Sequence, residues 1–238
     1  MALLPKVVAE LDALGEAQRA VRLVEGVFAG NIFDLGVEPT RTLFENAAVD
    51  FYTTRNRLNH RPWLVDDLDR WLDRWLNDPP HRCAVLFVDN AGCDIVLGMI
   101  PLARCLLNRG TRVILTANST ASLNDITHHE LVAMIASIAA WDRPIAEALA
   151  GGCLELVPSG NGAPLIDLSV CSNELVDVVR RRGADLIVLE GMGRALESNF
   201  DASFSCDALK IAMIKDTGVA RVHGGEVFDL VFRFEPAR

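Results

Sequence analysis

AVLFVDNAGCDIVLGMIPLARCLLNRGTRVILTANSTASLNDIT, residues 84–127, is the stretch whose reading decides the fold. An apolar run, 84–88, stops abruptly at Asp89, Asn90 and Gly92. Apolar residues then recur at helical spacing over 94–108. A second apolar run, 113–117, ends in Asn118 and Ser119, and Asn124-Asp125 follows. Near-continuous apolar runs separated by a helix are the pattern of parallel strands covered on both faces. In an open parallel sheet ligands bind beyond the carboxyl ends of the strands. Here those ends carry carboxylate and amide oxygens, the donors that suit a hard divalent cation.

Working outward, the same grammar continues. Strands are expected at 83–88, 112–117, 153–157, 185–189, 209–214 and 226–234, and helices at 94–108, 127–149 and 172–182. Alternating strand and helix predicts an α/β fold with a mostly parallel, Rossmann-like sheet and right-handed crossovers. In the last strand one face is all apolar (Phe228, Leu230, Phe232, Phe234) and the other mixed, which suits an edge or antiparallel position. Upstream, residues 5–28, 40–52 and 64–76 show helical spacing, and Asn77-Asp78-Pro79-Pro80 ends the series. The expected organisation is a helical subdomain, 1–80, bundled against an α/β core, 81–238.

The chain has 238 residues, of which 50% are hydrophobic, enough for a sizeable core. Its net charge of −9 argues against nucleic acid or an anionic membrane as partner. A phosphorylated substrate stays compatible, because a bound cation inverts the local field. Six scattered cysteines without a CxxC pair speak against a zinc site and for a reducing compartment. The amphipathic, acidic N-terminus does not read as a signal peptide, and no apolar run reaches spanning length, so a cytoplasmic protein is expected. Apolar surface on the N-terminal helices would leave room for a homo-oligomer.

Four strand-end loops could carry chemistry. Asp89, Asn90 and Asp125 offer two carboxylates and an amide to one divalent metal, leaving room for water and a substrate oxygen. Asp89 and Asn124-Asp125 read equally well as ordinary helix caps. Gly92 would let backbone N–H groups approach a phosphate, and Asp94 could serve as a base or merely complement a helix dipole. Asn118 ends the second strand. Ser159-Gly160-Asn161-Gly162 is a candidate anion cradle or a plain surface turn. Glu190-Gly191-Met192-Gly193-Arg194 places an acid, two glycines and an arginine at one strand end, where Arg194 could hold a phosphate in a two-pronged grip. Lys210 and Lys215 are further candidate phosphate contacts. The glycine spacing is not a dinucleotide fingerprint, and no Walker loop or nucleophile elbow occurs.

Several of these pieces together resemble the damage-control metal-dependent phosphatases, the domain-of-unknown-function-89 family. They are Ala29-Gly-Asn-Ile-Phe-Asp34, Arg61-Pro-Trp-Leu-Val-Asp-Asp67, Phe87-Val-Asp-Asn-Ala-Gly-Cys-Asp94, Leu123-Asn-Asp-Ile-Thr127 and Leu189-Glu-Gly-Met-Gly-Arg194. The last is similar to the signature of the subgroup formed by the C-terminal phosphatase domain of pantothenate kinase 4 and its plant stand-alone relatives. The resemblance implies an N-terminal helical bundle on an α/β/α core and one divalent ion (Mg, Mn, Co or Ni) on Asp89, Asn90 and Asp125. It also implies hydrolysis of small phosphomonoesters, with 4'-phosphopantetheine and its S-oxidised forms favoured, as damage control in coenzyme A metabolism. Asp89, Asp94 and Glu190 would act in catalysis. Gly92, Asn118, Ser159, Gly160, Gly191, Gly193, Arg194 and Lys210 would bind substrate. Ala91 stands where the family usually has serine. Water and Asp89 itself remain alternative nucleophiles. An S-adenosylmethionine-dependent carboxyl methyltransferase and a non-catalytic metabolite-binding domain are the competing readings. Metal dependence of turnover separates them.

Overall fold

Strand β2 (Cys83–Phe87) is buried at every position, as expected of a central strand made of Cys-Ala-Val-Leu-Phe. In the computed structural model, which describes residues 1–32 and 51–237, it sits in a seven-stranded sheet of order β1-β7-β6-β5-β2-β3-β4. The other strands are β1 (Val65–Asp66), β3 (Arg112–Ala117), β4 (Leu154–Pro158), β5 (Leu186–Glu190), β6 (Asp207–Met213) and β7 (Leu230–Glu235). All pairings are parallel except β6–β7. The last strand is thus antiparallel to β6, with Leu230, Phe232 and Phe234 in the main core and the two-residue β1 outside it.

The chain runs outward from β2 through β3 to β4, then returns to lay β5 on the other side of β2. The order therefore reverses between β2 and β5, and a crevice opens at such a point beyond the strand ends. Side chains alternate between two cores. Ala84, Leu86, Leu115 and Val188 face one with α1 (Leu4–Ala13), α2 (Glu16–Asn31), α3 (Phe51–Asn56), α4 (Leu68–Asn77), α5 (Ile100–Asn108), α6 (His128–Ala139) and α7 (Arg143–Ala150). Val85, Phe87, Ile187 and Leu189 face the other with α8 (Asn173–Arg182) and α9 (Thr217–His223).

Four details depart from expectation. The stretch 1–80 is not wholly helical, since β1 joins the sheet beside β7. The helix expected over 94–108 opens with a turn of π-helix, Asp94–Met99, before α5. The helix expected over 127–149 is two. Asp142 caps the second through the Ile145 N–H (3.0 Å), and Pro144 follows, where no backbone donor is available to continue the first. The fourth is a second π-turn, Met192–Glu197, after β5. The helical stretch expected from residue 40, and Asp34 of the quoted motif, lie outside the described residues as far as residue 50. Among the described residues no helix is long and apolar enough to cross a membrane.

Candidate metal centre

The two strands flanking the reversal point each end in an acid and pass into a π-turn. From β2 the chain continues through Asp89 and Asn90 to Asp94, and β5 ends in Glu190. Such widened turns recur at functional sites. All four side chains are buried, at 7% exposure or less. Asp89, Asp94 and Glu190 each present an oxygen within 4.8 Å of the others. The Asp89 N–H donates to Glu190 Oε2 at 3.1 Å, fixing the two loops to one another.

Asn31, the last residue of α2, closes this cluster from the side. Its Nδ2 donates to Asp94 Oδ2 (2.9 Å) and to Glu190 Oε1 (2.6 Å). Asn90 Nδ2 donates to Asp89 Oδ2 (2.9 Å) and Asp94 Oδ2 (2.8 Å), while Asn90 Oδ1 accepts from Asn124 Nδ2 (3.0 Å). Burial drives the Asp94 carboxyl well above the usual range, against the pull of Lys215, Asn90 and Asn31.

Asp125 comes from the loop after β3. Asn90 and Asp125 form an isolated antiparallel bridge, and the Ile126 N–H donates to the Asp89 carbonyl at 3.0 Å. The capping reading of Asn124-Asp125 is excluded, because Thr127 and Glu130 cap α6 reciprocally. Asp125 Oδ2 instead accepts from Asn118 Nδ2 (2.8 Å) and Arg194 Nη2 (2.9 Å).

Arg194, fully buried, is the hub of this second half. It pairs with Asp89 Oδ1 and Asp125, and donates to Asn118 Oδ1 (3.2 Å) and the Pro164 carbonyl (3.4 Å). Burial pushes its guanidinium down to about 10. Gly191, at φ +97°, passes so close to Asp89 that a Cβ would overlap the carboxylate. Gly193 backs onto the Pro164 carbonyl, 2.7 Å from where its Cβ would lie. Gly92, at φ +82°, has open space on the corresponding side, as a backbone cradle needs.

Of the expected substrate contacts, Lys210 is not brought to the cluster. Lys210 sits on the opposite sheet face from Glu190, between Leu209 and Ile211 of the other core, and its ammonium donates to the Phe200 (2.6 Å) and Ala202 (2.7 Å) carbonyls and pairs with Glu235 (3.2 Å). Lys215, in the loop after β6, is the lysine whose charge reaches Asp94. In the loop after β4 the donors serve the fold. The Ser159 N–H bonds Ala117 O, Gly160 N–H bonds Ser119 Oγ (2.9 Å) and Asn161 N–H bonds Ser159 Oγ (3.1 Å). Gly160 is required there by the approach of the Ser172 backbone. Conversely, Asn31 is a site residue that spacing could not single out. Its signal was its place in the Ala29–Asp34 piece that carries the family resemblance.

A hard cation fits these residues on two counts. Among the described residues Asp94 Oδ1 and Asn31 Oδ1 are buried acceptors without a hydrogen-bond partner, and buried acceptors are seldom left so. The donor set is also all oxygen, with four carboxylates facing the cations Arg194 and Lys215 among the described residues.

The chain matches the Damage-control phosphatase ARMT1-like domain over residues 1–231. It is 42% identical over 235 residues to a damage-control phosphatase of Arabidopsis thaliana, covering 98% of this chain and 63% of that one. To the 4'-phosphopantetheine phosphatase of Mus musculus it is 37% identical over 273 residues, covering 94% of this chain and 33% of the relative. To the pantothenate kinase 2 of Arabidopsis thaliana it is 41% identical, covering 99% of this chain and 29% of the relative. The chain thus spans between about a third and two thirds of the curated relatives it matches. A crystal structure of a DUF89 family protein from Pyrococcus horikoshii covers 91% of this chain at 15% identity, with a TM-score of 0.46.

Proposed function

Because the chain belongs to the damage-control phosphatase ARMT1-like family, we propose that it is a metal-dependent hydrolase of small phosphomonoesters. The observation that carries this reading is the convergence of Asp89, Asp94, Asp125 and Glu190 at the strand-order reversal, with two buried acceptors left open. Asp89, Asn90 and Asp125 would hold one divalent ion, which would supply positive charge for a substrate phosphate and for the charge that develops on it. Mg, Mn, Co and Ni all suit these oxygen donors.

The side chains divide the remaining work. Arg194 holds the Asp89 and Asp125 carboxylates at a fixed separation. Both Asp89 oxygens are engaged, by Arg194 and by Asn90, which favours a holding role over direct attack and leaves water as nucleophile. Asp94, with its raised carboxyl, is placed to take the proton of that water. The open side of Gly92 and the Lys215 ammonium receive the phosphate oxygens.

The relative named 4'-phosphopantetheine phosphatase supports 4'-phosphopantetheine, or its S-oxidised forms, as substrate. Three α/β/α layers with residues 1–80 as an N-terminal helical bundle are the architecture we infer. The two cores on opposite sheet faces support it. A cytoplasmic setting is supported by six free cysteines, of which burial pushes Cys83 and Cys105 up to about 11.

The test is phosphate release from 4'-phosphopantetheine and p-nitrophenyl phosphate after chelation, then with each metal restored, for wild type and Asp125→Ala. Release that returns with metal and is absent from the variant supports the reading. Folded wild type that releases no phosphate with any of the four metals refutes it.

A further inference from the structure

Helix α2 reaches the centre by an unusually close approach. A Cβ on Gly30 would lie 3.0 Å from Asp94 Cα, and one on Gly98 would lie 3.1 Å from Val27 Cα. The helix is therefore pressed backbone to backbone against the π-turn that carries Asp94. Its final residue, Asn31, is 1% exposed and is delivered between Asp94 and Glu190, acids 96 residues apart in sequence and on different strands' loops.

The orientation of the Asn31 amide is forced. Both short contacts run from its NH₂ group to carboxylate oxygens, which leaves Oδ1 pointing elsewhere. Asn31 Oδ1 and Asp94 Oδ1 are then two buried acceptors without donors among the described residues. Whatever completes them must bring hydrogens or positive charge, and a hydrated cation brings both.

We propose that Asn31 is a positioning residue of the metal centre. By donating to both acids it holds Asp94 against Glu190 in the separation that the cation and its water require. This rests on the metal-dependent reading above and adds to it a residue outside the strand-end loops. Without the amide, the two buried acids repel and turn apart. Asp94 then no longer presents its open oxygen, although Asp89, Asn90 and Asp125 are untouched. The residues that orient a metal site's ligands commonly carry a tenfold to hundredfold share of affinity.

The experiment is Mn²⁺ binding by calorimetry, with phosphate release from p-nitrophenyl phosphate alongside, for wild type, Asn31→Ala and Asn31→Asp. Thermal unfolding without metal shows whether each variant folds. Asn31→Asp keeps the shape and loses the donor, so it reports on the bridge even if the alanine variant does not fold. The expected result is a Mn²⁺ dissociation constant raised about tenfold or more in the folded variants, with kcat reduced and KM changed less than threefold. Folded variants with wild-type Mn²⁺ affinity and kcat overturn the role of Asn31 alone. Wild type that binds no Mn²⁺ overturns the metal-dependent reading and this one with it.

Discussion

Asp89 is held by contacts from three directions, and one of them is a missing side chain. Arg194 takes Oδ1, Asn90 takes Oδ2, and Gly191 at φ +97° leaves room for the carboxylate to lie against its Cα. Gly191→Ala would strain a backbone that L residues avoid and drive its Cβ into Asp89 together. The expected outcome is a stability loss of about 1–3 kcal/mol and a loss of metal-stimulated phosphate release of at least about a hundredfold, the scale on which misplaced catalytic groups act. Denaturant unfolding and the phosphate assay read the two effects. A variant that keeps full activity would show that Asp89 need not occupy this place. At this scale the sequence was legible where oxygen-bearing residues follow apolar strands, as with Asp89, Asn90, Asp125 and Glu190. It was not legible for Lys210, because whether a strand lysine faces the site depends on a one-residue alternation that its flanking apolar residues leave open. Nor was it for Asn31, whose partners lie 63 and 159 residues away.

At the scale of elements, six of the seven strands were legible to within a few residues because buried strands are written as apolar runs, while the two-residue β1 was not. Helix 94–108 was legible as helix. Its π-turn was not, since the turn is set by what packs on it rather than by its own residues. What packs on it is α2, and the contact depends on small residues on both sides, Gly26 and Gly30 on the helix and Gly98 on the turn. Dispersion at such a contact is strong because backbones touch, and no side chain can be added without moving an element. Gly98→Ala would place a methyl 3.1 Å from Val27 Cα. The expected cost is about 1–3 kcal/mol, typical of overpacking. It should appear as a lower urea midpoint with an unchanged slope. An unchanged midpoint would mean that α2 can slide on the turn without cost, and the mechanical link from α2 to the centre would be lost.

Across the whole molecule, the parallel strands give the sheet two chemically opposite edges. At the carboxyl edge, Arg194 pairs with Asp89 and Asp125, Asp94 and Glu190 cluster beside Asp89, and burial raises the Asp94 carboxyl. At the amino edge, Asp185 and Asp207 stand at the starts of β5 and β6 with partners of their own. Asp185 accepts from the Arg82 and Cys83 N–H groups at 3.1 and 3.0 Å. Asp207 accepts from the Ala237 N–H (2.8 Å) and Arg74 Nε (3.1 Å) and lies 2.8 Å from His81 Nε2. Burial works to raise both of these carboxyls. The backbone donors and the neighbouring His81 and Arg side chains outweigh it and hold them below their ordinary value of 3.8. The sign follows from that depression. A carboxyl that binds its proton more weakly in the folded state stabilises the fold fully above pH 3.8, and the gain is lost as pH falls through the folded-state values. One edge thus stores stability as satisfied charge, while the other gives up stability by holding buried carboxyls close together. Wild type should lose stability steeply below about pH 4, where acid removes the amino-edge pairs. Asp207→Asn should begin less stable at neutral pH and lose less on acidification, so that the two curves converge. Unfolding midpoints taken from pH 7 to pH 3 without metal would show this. Parallel curves would mean that the amino-edge carboxylates contribute no acid-sensitive stability and that the acid limb arises elsewhere.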